Sequence, residues 1–120
     1  MSENLELGSV GEDIAVIFLK KKGYSILETN WRYKHKEIDI IAAWRNTLVI
    51  VEVKTRSTID LDHPEDIVTE KKQKFLINAA EKYVFMKKFD MEVRFDIIFI
   101  IKNFDNYSIE HIEDAFQPWI

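Results

Sequence analysis

The sequence predicts a mixed α/β domain, because stretches rich in isoleucine, valine and phenylalanine alternate with stretches of helical periodicity. The chain has 120 residues, of which 47% are hydrophobic and 32% charged, a balance that supports one core and argues against disorder. Three glycines, two prolines and the lack of any repeat leave no linker between parts of the chain. We therefore predict one domain over residues 1–120, with the order helix, three strands, helix, two strands.

The composition excludes several kinds of function. The chain has no cysteine, so disulfides, thiolate metal sites and cysteine nucleophiles are absent. Its first residues are polar and acidic and lack the basic start and apolar run of a secretory signal, so we expect a cytoplasmic protein. The formal net charge of −4 argues weakly against a nucleic-acid partner, because local patches decide such binding.

The first predicted helix spans about residues 9–22. Its apolar residues cover much of the circumference, which predicts a largely buried helix; they are Ile14, Ala15, Val16, Ile17, Phe18 and Leu19. Lysines at 20–22 complement the helix dipole, and Gly23 is a typical C-terminal stop.

Three strands are predicted next, over residues 24–33, 36–43 and 47–55, and their short connections favour antiparallel pairing. A polar loop follows from Arg56 to Val68. The second helix is predicted over residues 69–88, with Thr69 as N-cap. An apolar stripe at helical spacing supports it: Phe75, Leu76, Ala79, Ala80, Tyr83 and Val84. Residues 93–101 and 107–112 predict the last two strands.

Charged residues fall at unexpected places in the strands. Side chains of a strand alternate between its two faces. In the second strand this rule places two sets of side chains on opposite faces. One face carries Ile38, Ile40 and Ala42, and the other carries Glu37, Asp39 and Ile41. In the third strand it puts Glu52 and Lys54 side by side at the end of an apolar run. One hairpin, with a step of thirteen residues between the two acids, brings Asp39 to face Glu52 and Lys54.

Two neighbouring carboxylates in an apolar setting repel each other and raise each other's pKa. A divalent metal ion would compensate them, since hard cations take carboxylate and carbonyl oxygens, and Lys54 can pair with one acid. The alternative is a solvated strand end with Asp39 paired to a nearby base.

Glu12 is a third candidate acid. Its helical neighbours Ala15, Val16 and Leu19 are apolar, so it lies on a face that leans toward the core. The alternative is an acid near a helix start that interacts favourably with the helix dipole.

Several segments together resemble the YraN-like family of small bacterial proteins. They are Gly11-Glu12 with Ala15, Gly23-Tyr24, Asn30-Trp31-Arg32, residues 37–42 (EIDIIA), residues 51–56 (VEVKTR), Arg94-Phe95-Asp96 and Ala115-Phe116. That family is similar to archaeal Holliday junction resolvases and belongs with the PD-(D/E)XK nucleases. The resemblance covers nearly the whole chain in order, and it implies a restriction-endonuclease-like core with a mixed β-sheet flanked by helices.

The resemblance also implies roles by position. Asp39 matches the aspartate of the motif, Glu52 its second acid, Lys54 its lysine and Glu12 the helix glutamate of the resolvase-type members. Lys36 departs from the pattern, since the family usually has glycine there, and we expect this residue to alter the shape of the turn. The loop from Ser57 to Asp66 is unusually acidic, which would weaken DNA approach on that side; its acids are Asp60, Asp62, Glu65 and Asp66.

The expected activity is endonucleolytic hydrolysis of DNA with Mg²⁺ or Mn²⁺, at branched DNA in repair or recombination. Glu12, Asp39, Glu52 and the carbonyl of Val53 would hold the metal ion, which activates water and stabilises the phosphorane-like transition state. Lys54 would orient the water, and Glu37 is a weaker candidate for a supporting role. The resemblance to junction resolvases, which cut two strands, implies a homodimer.

Basic residues near this predicted site are candidates for phosphate contacts. They are Arg32, Lys34, Lys36, Arg56, Lys71 and Lys72, with Lys74 in the same helix. For the helix lysines an ordinary solvated face is an equally good interpretation. Two other functions stay open: a non-catalytic nucleic-acid-binding module that keeps the nuclease fold, and a protein-interaction domain, which the acidic net charge favours slightly.

Overall fold

The structure, a computed structural model, describes residues 3–57 and 68–118. Two helices and five strands follow one another in the predicted order: α1 (Glu3–Lys21), β1 (Ser25–Tyr33), β2 (Lys36–Trp44), β3 (Thr47–Ser57), α2 (Glu70–Lys87), β4 (Glu92–Asn103) and β5 (Asn106–Phe116). The acidic residues predicted to weaken DNA approach, at positions 60, 62, 65 and 66, lie outside the described residues.

The five strands form one sheet in the order β1-β2-β3-β4-β5. The pairs β1–β2, β2–β3 and β4–β5 are antiparallel, which confirms the prediction for the first three strands. The central pair β3–β4 is parallel, because the chain returns across the sheet through α2 before β4 begins. The sheet is therefore mixed, as predicted.

Two hydrophobic clusters lie on opposite faces of the sheet. Leu48 and Ile50 of β3 pack with the apolar stripe of α2, and Val49 and Val51 pack with α1. Both faces of the central strand are thus buried, which explains its continuous apolar run. All six residues of the predicted α2 stripe belong to the first cluster.

The end of α1 and the start of α2 lie where the sequence indicates. Gly23 has a φ of 96°, and the N–H of Tyr24 donates to the carbonyl of Leu19, which closes α1 with a left-handed cap. Thr69 caps α2, since its hydroxyl accepts a hydrogen bond from the N–H of Lys72 at 3.1 Å. The predicted caps are confirmed.

Helix α1 differs from the prediction in two respects. It begins at Glu3, six residues earlier than expected, because acidic residues favour a helix N-terminus and Gly8 does not interrupt the turn. It is also buried on one side only: Ala15 and Leu19 are fully buried, whereas Ile17 is 55% exposed. The prediction of a largely buried helix was wrong, because only one helix face meets the sheet.

The predicted grouping of side chains in β2 was also wrong. Ile38 packs on the α2 side of the sheet together with Ile41, whereas Ile40 and Ala42 pack on the α1 side. Simple alternation fails because the neighbouring strand β1 bends at Asn30. Asn30 lies between two paired residues of β1 and has a left-handed φ of 50°. The break in alternation falls beside Asp39.

In the part of the chain that the structure covers, neither helix is long and apolar enough to span a membrane.

A close approach of α1 to β3 requires glycine at position 11. A β-carbon there would overlap the hydroxyl of Thr55 and touch Ile100. We expect Gly11→Ala to lower the free energy of unfolding by about 1–3 kcal/mol through overpacking, despite the higher helix propensity of alanine. Denaturant unfolding measures the change. Ser9→Ala, at an exposed position of the same helix, should leave stability unchanged, and adding Thr55→Ala should recover most of the loss. Equal stability of Gly11→Ala and the wild type would contradict this packing.

Candidate active site

The strands β2 and β3 separate at one end of their hairpin. Their register runs from Trp44 opposite Thr47 to Ile40 opposite Val51 and stops there. The next pair in this register would be Asp39 and Glu52. Instead, the Asp39 carboxylate accepts a hydrogen bond from the N–H of Val53 at 2.8 Å, so a side chain replaces the backbone acceptor of the ladder. The two predicted acids therefore meet where the sheet opens.

Glu52 is a buried carboxylate with incomplete pairing. The residue is only 3% exposed. Its Oε2 lies 3.5 Å from Nζ of Lys54 and 3.6 Å from Nζ of Lys72. Its Oε1 is buried and has no hydrogen-bond partner among the described residues. A buried carboxylate oxygen without a donor is costly, so this atom is available for a further ligand.

Asp39 carries the largest electrostatic perturbation of the site. Burial, followed by the neighbouring Glu52 carboxylate, raises its pKa to about 8. The hydrogen bond from Val53 opposes this rise, and Glu12 adds a smaller contribution in the same direction as Glu52. The site therefore holds more negative charge than its surroundings stabilise.

Glu12 approaches the site from α1. The side-chain amide of Asn30 donates to both of its carboxylate oxygens, at 3.2 and 3.4 Å. The close contact between Gly11 and Thr55 holds this turn of α1 against β3. Glu12 is near enough to raise the pKa of Asp39, but its own oxygens face Asn30.

The donor set suits a hard divalent cation, although the ligands are not gathered tightly. Among residues 3–57 and 68–118, no three acidic or histidine side chains form a compact group that could hold a metal ion. A cation would nevertheless supply the missing partner of Glu52 Oε1 and stabilise the ionised form of Asp39, whose pKa is raised. The Val53 carbonyl is a third oxygen at the gap, since N–H and C=O of a strand residue point to the same side.

Aromatic rings lie beside three of the predicted phosphate-contacting lysines, of which Lys72 also lies near Glu52. Nζ of Lys72 lies 5.4 Å from the ring centre of Phe75, and Nζ of Lys36 lies 5.7 Å from the same ring. Nζ of Lys34 lies 5.4 Å from the ring centre of Tyr33, which is 6.0 Å from Phe75. Three of the predicted phosphate-contacting lysines thus form one group.

The other predicted basic residues lie in different settings. Arg32 and Lys71 are exposed, and Lys74 pairs with Glu70 one turn away in α2, as on an ordinary solvated face. Arg56 is half-buried at the end of β3, and its Nε has no partner among the described residues. Glu37 stands opposite Arg32 in the β1–β2 ladder.

Two residues that hold the site together had no predicted role. Asn30 orients Glu12 and breaks the regularity of β1, and Thr55 packs against Gly11. A polar asparagine inside a strand, next to the acid of the opposing strand, is the signal that could have indicated Asn30, because asparagine tolerates left-handed conformations.

A second polar cluster lies on the α1 side of the sheet. Asp96, which is 1% exposed, accepts two hydrogen bonds from Arg94, at 2.7 and 2.9 Å, and one from the N–H of Asp114. His111 Nε2 lies 2.7 Å from the same carboxylate. Burial raises the pKa of Asp96, but the bonds from His111 and Arg94 outweigh burial and hold it below its usual value. With every oxygen paired, this cluster serves to fasten β5 to β4.

Comparison with known proteins identifies the family. The sequence model of "Uncharacterised protein family UPF0102" matches residues 11–100. The chain belongs to the UPF0102 family. A UPF0102 protein of Flavobacterium psychrophilum is 54% identical over 116 residues, which are 97% of this chain and 98% of the relative. Relatives from Christiangramia forsetii and Bacteroides thetaiotaomicron are 52% and 48% identical, over 97% and 98% of this chain and 98% of each relative.

The family match includes the whole acid group of the UPF0102 chain. Glu12, Asp39, Glu52 and Lys54 all lie within the matched residues, as do Lys34, Lys36 and Lys72. The resemblance noted in the sequence is thereby confirmed at the level of the family.

The raised pKa of Asp39 predicts that the stability of the folded chain depends on pH. Its pKa is about 8 in the folded chain against 3.8 for the ordinary group, so the folded state binds the extra proton between these values. The stabilisation from this group is complete below about pH 4 and is lost as pH rises through about 8. Thermal unfolding in EDTA should show a melting temperature that falls across this range.

Asp39→Asn is the matched variant for that measurement. Asparagine keeps an oxygen to accept from Val53 but removes the charge. We expect its melting temperature at high pH to exceed that of the wild type by about 5 °C, the shift that roughly 1 kcal/mol gives a small domain. If the variant were as pH-sensitive as the wild type, or less stable at high pH, the Asp39 charge would not destabilise the folded chain.

Proposed function

We propose that this UPF0102 chain is a divalent-metal-dependent endonuclease with a restriction-endonuclease-like core, which hydrolyses phosphodiester bonds of DNA. The observation that carries the proposal is the buried Glu52 carboxylate. One of its oxygens is unpaired, the other contacts Lys54 and Lys72, and Asp39 lies beside it where β2 and β3 separate. An ionised Asp39 cannot donate a hydrogen bond to Glu52, so with both acids charged the free Glu52 oxygen is open to a cation, which supports a metal site.

Each group has a defined part in this reaction. Asp39, Glu52 and the Val53 carbonyl would hold Mg²⁺ or Mn²⁺, with Glu12 as the fourth donor after release from Asn30. When bound, the cation supplies Lewis-acid polarisation of the phosphate and eases loss of a proton from water. Lys54, 3.5 Å from Glu52, would orient the attacking water and offset the charge of the phosphate.

The overall chemistry adds water across one P–O bond. The water oxygen bonds to phosphorus, the bond from phosphorus to one sugar oxygen breaks, and a proton from water ends on that sugar oxygen. Lys72, which lies 3.6 Å from Glu52, and Lys36, which lies against the same Phe75 ring as Lys72, would contact flanking phosphates. Branched DNA as the target, and a homodimer that cuts two strands, remain part of the proposal.

The second candidate is a non-catalytic nucleic-acid-binding module with the same fold. The loose arrangement of the acids favours it, because Glu12 faces Asn30 and the described residues contain no compact group of three ligands. Such a module would bind DNA in a salt-dependent way and cut nothing in the presence of metal ions.

Metal binding is tested first, by calorimetric titration of Mn²⁺ into the purified protein. We expect binding that disappears in Glu52→Gln, because the variant keeps the size of the side chain but loses its charge. Glu92→Gln is the matched control, since Glu92 is an exposed acid at the opposite end of the sheet. Binding that survives in Glu52→Gln would refute the assignment of this site.

Cleavage is tested on branched, flapped and single-stranded DNA with Mg²⁺ or Mn²⁺. Asp39→Asn and Glu52→Gln should abolish it. Lys54→Ala should reduce the rate by about 10²–10³-fold, as loss of one charge-stabilising group does, while Mn²⁺ affinity changes little. Wild-type cleavage by any of these variants would contradict its assigned role. Salt-sensitive DNA binding without cleavage by the wild type would support the binding module instead.

A further inference from the structure

We infer that the chain binds an unpaired nucleobase in a hollow between Tyr33 and Phe85, so that its substrate carries a single-stranded segment next to the cleaved phosphate. This inference rests on the proposed function, whose site it extends. It specifies the class of nucleic acid, one with unstacked bases, which neither the acid pair nor the family match specifies.

The hollow lies between the end of β1 and the exposed face of α2. Its volume is about 310 Å³, which accommodates a purine or pyrimidine ring, and it is lined by Tyr33, Asn78, Glu81, Lys82 and Phe85. The Phe85 ring is 78% exposed, so it offers a free apolar surface at the hollow. Two aromatic residues in the lining of a solvent-accessible hollow are suited to stacking on a flat ring.

A continuous series of contacts joins the hollow to the acid pair. Tyr33 lies 6.0 Å from Phe75 between ring centres, and Lys72 Nζ lies 5.4 Å from the Phe75 ring. Lys72 in turn lies 3.6 Å from Glu52. A strand with its phosphate at Glu52 and Lys54 can therefore pass along Lys72 and Phe75 and place a base a few nucleotides away at Tyr33.

Lysines along this path match the charge of a nucleic-acid backbone. Lys36 lies against Phe75, Lys34 lies against Tyr33, and Lys82 is part of the hollow itself. Lys34 is exposed, so its contact with the Tyr33 ring is a weak one. A base that stacks on Tyr33 can displace Lys34, whose ammonium group is then free to meet the adjoining phosphate.

Polar groups of α2 suit the edge of a base. The amide of Asn78 can donate and accept hydrogen bonds, the carboxylate of Glu81 accepts from an amino group, and Lys82 donates. These groups are exposed and adaptable, which predicts weak preference among bases. The negative charge of Glu81 repels phosphate, so the base occupies the hollow and the backbone does not.

Paired DNA cannot use this hollow. In a duplex both faces of each base are covered by its neighbours and its pairing edge is occupied, so a base must leave the stack to reach aromatic rings on a protein. Single strands, flaps and splayed ends present such bases without that cost. The hollow thus favours substrates with an unpaired strand over intact duplex.

The test measures binding in EDTA, where metal-dependent cleavage does not interfere. Fluorescence anisotropy compares a labelled single strand with a duplex of the same length. We expect the wild type to prefer the single strand, and Tyr33→Leu and Phe85→Leu each to weaken single-strand binding by roughly tenfold, the effect of one lost base stack. Duplex binding should stay unchanged in both variants.

The control is Phe104→Leu, since Phe104 is a 95% exposed ring between β4 and β5, away from the hollow. It should bind both DNAs as the wild type does. Phe85→Leu keeps the test decisive if Tyr33→Leu is destabilised, because the Phe85 ring is exposed and its loss leaves the core intact. Unchanged single-strand affinity in Phe85→Leu, or a wild-type preference for duplex, would overturn the inference.

Cleavage measured separately keeps the two proposals distinct. Suppose that Phe85→Leu cuts single-stranded and flapped DNA with metal ions as the wild type does. This result would support the proposed nuclease and refute base binding in the hollow. Loss of single-strand binding in Phe85→Leu, in a protein that cuts nothing, would support the hollow and refute the nuclease.

Discussion

The hydrogen bond from the Val53 N–H to the Asp39 carboxylate is the interaction on which the rest of the site depends. Buried backbone N–H groups need partners, and a regular ladder would supply a carbonyl of β2. Here the carboxylate supplies the oxygen, so β2 can diverge from β3 without leaving the N–H unpaired. The divergence opens the sheet to Glu12 from α1 on one face and to Lys72 from α2 on the other.

The acid group is stabilised only in part by its surroundings. Lys54 and Lys72 lie near one oxygen of Glu52 at ion-pair distances beyond the range of hydrogen bonds, and both are more than a quarter exposed, so each contributes modestly. The second cluster, around Asp96, contrasts with this arrangement, because there every carboxylate oxygen is paired. The two buried acids of the described chain thus serve different purposes: one fastens strands, and the other keeps an oxygen available.

Much of the architecture could be predicted from the sequence, because periodicity, caps and turn lengths are local properties. The element order, the antiparallel hairpins and the caps at Gly23 and Thr69 follow from neighbouring residues. The approach of Asp39 to Glu52 follows from the length of one hairpin. The exposed side of α1 could not be predicted, since it depends on where that helix meets the sheet.

Local irregularity set the limit for the site itself. Strict alternation misplaced Ile38, because the bend at Asn30 belongs to the neighbouring strand and leaves no mark in the sequence of β2. The grouping of Lys36 and Lys72 on Phe75 is equally hidden, since it joins two residues of α2 to the first residue of β2, which is distant in sequence.

The order in which β3 and β4 meet has a consequence for biosynthesis. The sheet's central parallel pair forms only after residues 58–91 have followed β3 out of the ribosome, so β3 waits with one edge open while its hairpin partners are already in place. An apolar strand edge in a nascent chain is a template for wrong pairing. Glu52, Lys54 and Arg56 place charges in the second half of that strand, and charged side chains disfavour such pairing, so the residues of the candidate site would also oppose misassembly of the nascent chain.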